Sequence, residues 1–546
     1  LYIGDGAEAV AAWLGLLKSS VREDCRAAAD LLIQGRAPEA EQALRHKLSA
    51  APDDADALLL LAETVGQLGR LREAEDFLVR ALATEPDHAV ARIARVEVLL
   101  RLASWSDALE AIDRLLASEP QHLRARILKA TALGQLGDHA GAATLSGGLL
   151  EDFLDQPKAW LTHGHDLRTI GHADDAIAAY REAVVIDTGF GDAWWALANL
   201  KTYRFSAMER EQMAVELART DLAPDDRISL NFALAKAEED AGHYAEAFDH
   251  YRKGNAGHRA RIDYDPDRIA DIVERSEMLL TPAFFAERAS WGAKSAEPIF
   301  IVGLPRAGST LVDQILASHS EVESLGELPD VAALANWVGA APQARPTNYP
   351  DALAALSTAQ IGRLGQAYLD RTAPLRRLQR THFIDKAPGN FLHIGLIFLM
   401  FPNARIIDVR RHPLDGCLSA FRQHFGAGWE FSYDLTELGR YYADYTRLMD
   451  HIDAVRPGAV YRMIYERLVQ EPEGEIRRLL LDLGLPFEPE CLKFYENTRP
   501  VPTPSSEQVR RPIFSDAMER WKHFDPWLGP LKAALGPALE TRGEKP

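Results

Sequence analysis

The segment Gly303-Leu-Pro-Arg-Ala-Gly-Ser-Thr310 is where chemistry first shows in this chain. It follows the short apolar run Pro298–Val302 and precedes Leu311–Ser318, whose apolar residues recur with helical spacing. A strand, a glycine loop and a helix in that order make an anion cradle, because loop N–H groups and the helix N-terminus converge on one point. Gly303 and Gly308 have the spacing of a nucleotide-triphosphate loop and Thr310 completes its end, but Ser309 stands where that loop needs lysine. The positive charge has moved inside the loop, to Arg306. A kinase or ATPase requires the lysine and a magnesium ion. The competing expectation, that Asp408 in RIID is a magnesium-holding aspartate, is therefore disfavoured. Hydroxyls with one inner cation suit a less charged group, such as a 5′-phosphosulfate, whose transfer requires no metal.

The rest of the chain narrows the ligand further. With 61 basic and 80 acidic residues, the net charge is −19. Such a surface repels phosphate backbones, so nucleic acid is excluded as a partner, and an anionic ligand needs a local basic pocket working against the overall field. Cys25, Cys417 and Cys491 lie far apart without metal-ligand spacing, which fits a reducing compartment and a cytoplasmic location. The chain begins at Leu1, so on a removed signal the sequence is silent. Near the glycine loop the longest apolar stretch, Ile394–Pro402, is far short of the ~20 residues of a spanning helix, so no membrane span is expected.

Upstream, small residues recur at a fixed step. Pro52, Pro86 and Pro120 are spaced by 34; so are Ala57, Ala91, Ala125, Ala159 and Ala193, and Ala40, Ala74, Ala108, Ala142 and Ala176. Gly35, Gly69, Gly137 and Gly171 keep the same register, with Ala103 in the missing place, and Gly242 precedes Ala247 by the same offset as Gly35 precedes Ala40. Alanine lets paired helices approach closely, glycine ends a helix in a left-handed cap, and proline opens the next unit where its missing N–H does no harm. This pattern resembles the tetratricopeptide repeat family, which implies an all-α solenoid whose concave face holds a peptide or protein. Trp194, Trp195 and Tyr203 are candidates for that face, with helix packing as the favoured reading. His163 and His165 point to different helix faces and cannot share an ion.

The loop, the segment Asp385-Lys386-Ala-Pro and the segment Val409–Ser419 together resemble the sulfotransferase family, with greatest similarity to tyrosylprotein sulfotransferases and bacterial repeat-containing sulfotransferases. The resemblance implies that 3′-phosphoadenosine-5′-phosphosulfate (PAPS) is the donor, with adenosine 3′,5′-bisphosphate (PAP) as product and no metal. It implies that Arg306, Ala307, Gly308, Ser309 and Thr310 form the 5′-phosphosulfate loop. Glu327 stands 21 residues after Arg306, the family's spacing for a general base; a phenol with a pKa near ~10 needs one at neutral pH. Lys386 fits the catalytic lysine that stabilises the leaving phosphate. Arg411 and Ser419, eight residues apart, match the 3′-phosphate site, and Tyr465 contacts the same region. Ser506 and Arg520 match elements that close over the cofactor, Ser506 being counted with the catalytic set. Two departures stand out: Ala307 replaces a frequent serine, and Gln423, beside Arg422, replaces an arginine.

The acceptor is less defined than the donor. A protein or peptide tyrosine is favoured, held by the repeat array and steered by the basic run Arg371, Arg376, Arg377 and Arg380, for which a solvated helix face is the simpler reading. A small phenol or carbohydrate hydroxyl, or a repeat scaffold with a degenerate PAPS-binding domain, are the alternatives. The expected organisation is a segment over 1–20, repeats over 21–262, a helical connector over 263–296, an α/β domain with a mainly parallel sheet over 297–530, and a tail over 531–546.

Overall fold

The computed structural model describes residues 7–102, 104–340, 349–426, 428–501, 503, 506, 508–513 and 518–540. The chain separates into two compact units, Leu1–Ile186 and Asp187–Pro546. In the first, helices come in antiparallel pairs, such as Ala55–Gln67 with Leu71–Thr84 and Ala89–Arg101 with Trp105–Ser118. The periodic alanines Ala40, Ala57, Ala74, Ala91, Ala108, Ala125, Ala142, Ala159 and Ala176 are all buried at the helix contacts. Gly69 follows the end of its helix with φ +80°, a conformation in which a Cβ would crowd the carbonyl. The periodic prolines sit in the turn rather than in the first helical turn: Pro52 precedes Ala55, the first residue of the next helix, and the Asp54 side chain caps that helix by accepting from the Ala57 N–H. His88 and His122 replace Asp54 in the next two units, their Nδ1 atoms accepting from Ala91 and Ala125. His163 and His165 turn to separate partners, Ser146 and Tyr180.

The second unit begins with further helices, including Gly191–Asn199, Pro224–Asp240 and Tyr244–Arg259, and continues into a five-stranded sheet. Its strands are β1 (Pro298–Gly303), β2 (Val322–Ser324), β3 (His382–Lys386), β4 (Arg405–Arg410) and β5 (Val460–Ile464), in the order β2-β3-β1-β4-β5. Every pairing is parallel. Strand β1 is buried along its whole length, as an apolar run covered on both faces must be. Connections leave β1 toward β2 on one side and β4 toward β5 on the other, so the crevice at the carboxyl ends of β1 and β4 is the switch point where such sheets take ligands.

Helices whose sequence still follows the repeat pattern pack within this unit against the sheet half. Arg259 makes a two-pronged ion pair with Glu437, both contacts 2.8 Å. Asn255 Nδ2 donates to the Phe421 carbonyl at 2.9 Å. Phe232 stacks on His424, with ring centroids 5.0 Å apart and planes 5° from parallel. Trp194 and Trp195 are consumed in this packing: both are buried, and the Trp194 Nε1–H donates to the Thr188 carbonyl. They do not line a concave binding face, because their rings fill helix contacts. Tyr203 donates its hydroxyl to Glu209 instead of facing a ligand.

Because Phe232 is fully buried and touches Trp195, Tyr251 and His424, Phe232→Ala is expected to destabilise the second unit by ~3–5 kcal/mol. A lower urea midpoint in tryptophan fluorescence checks this; an unmoved midpoint would mean the aromatic contact is not what joins these helices to the sheet.

Candidate functional site

Every strand of the crevice delivers its chemistry at its carboxyl end. Strand β1 leads into the glycine loop, and register places Gly303 beside Val409 of β4. A Cβ on Gly303 would lie 2.6 Å from the Val409 carbonyl oxygen, and its φ is +142°, so only glycine lets the loop leave the strand this close to its neighbour. Arg306 turns the loop with φ +70°, a left-handed conformation for a non-glycine residue and therefore strained. Gly308, at φ +108°, caps the helix Ser309–Leu316, and a Cβ there would come within 2.6 Å of the Tyr465 ring. Strand β4 ends where Arg410 pairs with Ile464 of β5, so Arg411 and Tyr465 emerge side by side; the Arg411 guanidinium lies 4.9 Å from the Tyr465 ring centre.

These residues surround a cavity of about 400 Å³. Its lining brings together Arg306, Gly308, Ser309, Thr310, Arg411, Ser419, Tyr465 and Arg520 from the sequence reading. Arg306 is held across the crevice: its Nε lies 3.5 Å from Ser419 Oγ, its Nη2 3.4 Å from Gln508 Oε1, and its carbonyl accepts from Arg411 at 3.3 Å. Ala307 is buried under the loop. Lys386 and Glu327 do not line the cavity; Lys386, 1% exposed at the end of β3, gives its ammonium to the Glu327 carboxylate, which is 48% exposed. Lys386 pairs in register with Ile301 of β1, so the pair stands at the same sheet edge as the loop. The preceding Asp385 is buried and accepts from the Tyr368 hydroxyl at 2.9 Å; burial pushes its carboxyl up to about 7. Ser506 is buried outside the lining, its N–H donating to the Thr503 carbonyl.

Sequence reasoning missed a second set of cavity residues. Lys201, Arg204 and Lys236 line it from the helical part of the unit, and Arg422 and Arg511 add to them. With Arg306, Arg411 and Arg520 the lining carries eight cationic side chains against the acids Asp240 and Asp415, the local basic pocket that an anionic ligand requires in a chain this acidic. Burial first, then the charges of Arg411 and Arg422, pulls the Arg306 guanidinium down to about 10. Burial, reinforced by Arg306, Lys236 and Arg422, holds the Lys201 ammonium well below its usual range. Two carboxylates organise this charge. Glu239 is buried and ion-paired with Arg422 at 3.1 Å and Arg520 at 3.2 Å. Burial disfavours its charge, but Arg422, Lys236 and Arg520 keep its carboxyl below the usual range. Asp415 accepts from the Glu519 and Trp521 N–H groups at 2.7 and 3.1 Å, which fixes Arg520 between them. No local motif marks Lys201 or Glu239; only Gln423, standing where a cation was expected, hinted that charge would come from elsewhere.

Asp408, disfavoured from the sequence as a magnesium ligand, and three arginines of the basic run are engaged by internal partners. Asp408 is buried between Arg410 and the Tyr445 hydroxyl, so its carboxylate is already engaged and does not face the cavity. Arg371 pairs with Asp330, Arg376 with Glu297 and Glu323, and Arg380 donates to the carbonyls of His319 and Val322. Arg376 and Arg380 brace β2 and the start of β3, while Arg371 and Arg377 stay exposed.

Residues 298–489 match the sulfotransferase family, and 31–96 and 67–132 match the tetratricopeptide repeat. The chain joins tetratricopeptide repeats to a sulfotransferase domain. It is 33% identical over 373 residues to an uncharacterized protein of Aquifex aeolicus (strain VF5), covering 67% of this chain and 48% of that protein, so it spans about half the length of that relative. It is 25% identical over 239 residues to a candidate protein-tyrosine sulfotransferase of Caenorhabditis briggsae, covering 41% of this chain and 80% of the other. Among solved structures, the sulfotransferase domain of the Synechococcus PCC 7002 olefin synthase is 22% identical, covers 46% of this chain and 97% of its own, and has a TM-score of 0.36. The cavity thus lies in the sulfotransferase domain but takes part of its wall from outside the matched residues, since Lys201, Lys236 and Arg520 fall beyond 298–489.

Gly308→Ala is expected to destabilise the second unit by ~1–2 kcal/mol from the left-handed conformation alone. It should also abolish protection by inorganic pyrophosphate in thermal unfolding, because the new methyl meets the Tyr465 ring. Equal protection of variant and parent would show that the loop is not the anion cradle.

Proposed function

We propose that this protein transfers the sulfuryl group of PAPS to an acceptor hydroxyl, with a protein or peptide tyrosine as the favoured acceptor. One observation carries the reading: the lysine-less loop, Arg411, Ser419, Tyr465 and Arg520 line a single cavity dominated by cations. That donor set fits a nucleotide with anionic groups at both ends. Buried hydroxyls on Ser309 and Thr310 and the helix N-terminus suit the 5′ group, while Arg411 and Ser419 suit a phosphate on the ribose. When bound, the donor supplies an activated sulfuryl group with a phosphate as leaving group.

The chain's own residues supply the rest. Arg306 and Lys386 stabilise charge on the leaving phosphate. Glu327 removes the acceptor proton, and its exposure leaves it reachable by an incoming hydroxyl. In the ground state Lys386 holds Glu327 in an ion pair. As Lys386 turns toward the leaving phosphate, the Glu327 carboxylate is released to meet the acceptor hydroxyl. The tyrosine acceptor is supported by the spacing of Glu327 from Arg306 and by the similarity to the Caenorhabditis briggsae protein. The repeats would present the peptide.

Glu327→Gln keeps a hydrogen-bond acceptor for Lys386 but no base. Turnover with PAPS and a tyrosine peptide is expected to fall ~10²–10⁴-fold, with calorimetric affinity for PAP unchanged. Full activity in the variant would remove Glu327 from the mechanism. Activity on small phenols or sugars with none on peptides would redirect the acceptor assignment.

A further inference from the structure

We propose that Lys201, from the helical segment preceding the sheet, is a specificity residue of the nucleotide site that reads the phosphate on the donor's ribose. The inference rests on the PAPS reading above and adds to it a residue outside the sulfotransferase-matched region.

Three observations carry it. Lys201 Nζ lines the cavity and donates to Gln423 Oε1 at 3.3 Å. Gln423 lies just past the end of the helix Pro413–Phe421 that carries Ser419, its N–H donating to the Ala420 carbonyl, so the lysine is held at the end of the cavity beside that helix. Second, Lys201 is built to stay there. It follows the helix Gly191–Asn199 with φ +66°, its carbonyl accepts from Arg204 at 2.8 Å, and its ammonium lies 5.1 Å from the Trp195 ring centre. Third, among the described residues it makes no ion pair, Glu239 acting on it only at longer range. Lys236 pairs with Asp240, and Arg422 and Arg520 pair with Glu239, but among the described residues no carboxylate lies within ion-pairing distance of Lys201. A lysine surrounded by arginines, with a neutral amide and an indole as its contacts, destabilises the empty protein; a bound dianion reverses that. Gln423 then acts as the holder of a cation delivered from 222 residues upstream in the chain.

The test uses the full chain with PAP and adenosine 5′-monophosphate, which lacks the ribose phosphate, as calorimetric ligands. In the parent, PAP is expected to bind more tightly. Lys201→Gln should weaken PAP by about 10- to 100-fold, leave the monophosphate unchanged, and raise the unfolding temperature of the ligand-free protein. Lys201→Arg should retain most of the preference for PAP. Equal weakening of both nucleotides in Lys201→Gln, or no change in either, would overturn the assignment while leaving the PAPS reading intact. A parent that binds neither nucleotide would overturn both.

Discussion

Like charges crowded into a space with little water repel one another, and the cavity at the carboxyl edge of β1 and β4 confines Arg306, Arg411, Arg422 and Lys201. The arrangement persists because two buried acids hold its periphery and the backbone prevents its relaxation. Glu239 joins Arg422 to Arg520, and Asp415 pins the backbone on both sides of Arg520. The strained turn at Arg306 is fixed between strands that are themselves buried. What remains is a concentration of positive potential that only an anion with more than one charged group can satisfy fully, set in a protein whose surface is strongly acidic.

The sheet explains why Lys386 and the cavity-lining residues can be separated in sequence yet share an edge. Parallel strands all discharge their loops on one side. The loop after β1, Lys386 at the end of β3, Arg411 after β4 and Tyr465 after β5 therefore meet without any of them being sequence neighbours. Lys386 and Glu327 form their own pair beside the cavity rather than within its lining. This separation leaves the Glu327 carboxylate half-exposed while Ser309 and Thr310 of the loop are buried.

Local signals were readable where a short stretch of chain decides the outcome. The 34-residue step located the helix pairs, since each alanine and glycine acts within its own repeat. Strand β1 announced itself as an apolar run ending in a glycine-rich turn. Strand β2, at three residues, is too short to carry a pattern, and β5 lies half-exposed at the sheet edge with mixed residues. The cavity residues fell into the same two classes. Those on the sheet edges could be read from loop chemistry; Lys201, Lys236 and Glu239 could not, because their positions are set by packing of distant helices. Trp194 and Trp195 prove to be packing residues, the reading favoured from the sequence. Arg376 and Arg380, read as a solvated helix face, are instead half-buried ties to Glu297, Glu323 and the carbonyls of His319 and Val322.

The division of the molecule after Ile186 has a consequence for how such a protein can change over evolutionary time. Whole modules duplicated or deleted upstream of that point alter the length of the array while sparing every residue that lines the cavity. The helices between Gly191 and Arg259 lack this freedom despite their repeat-like sequence, since they supply Lys201, Lys236 and Glu239. Variation in array length and constancy of these last helices should therefore go together, because only the latter supply walls of the cavity.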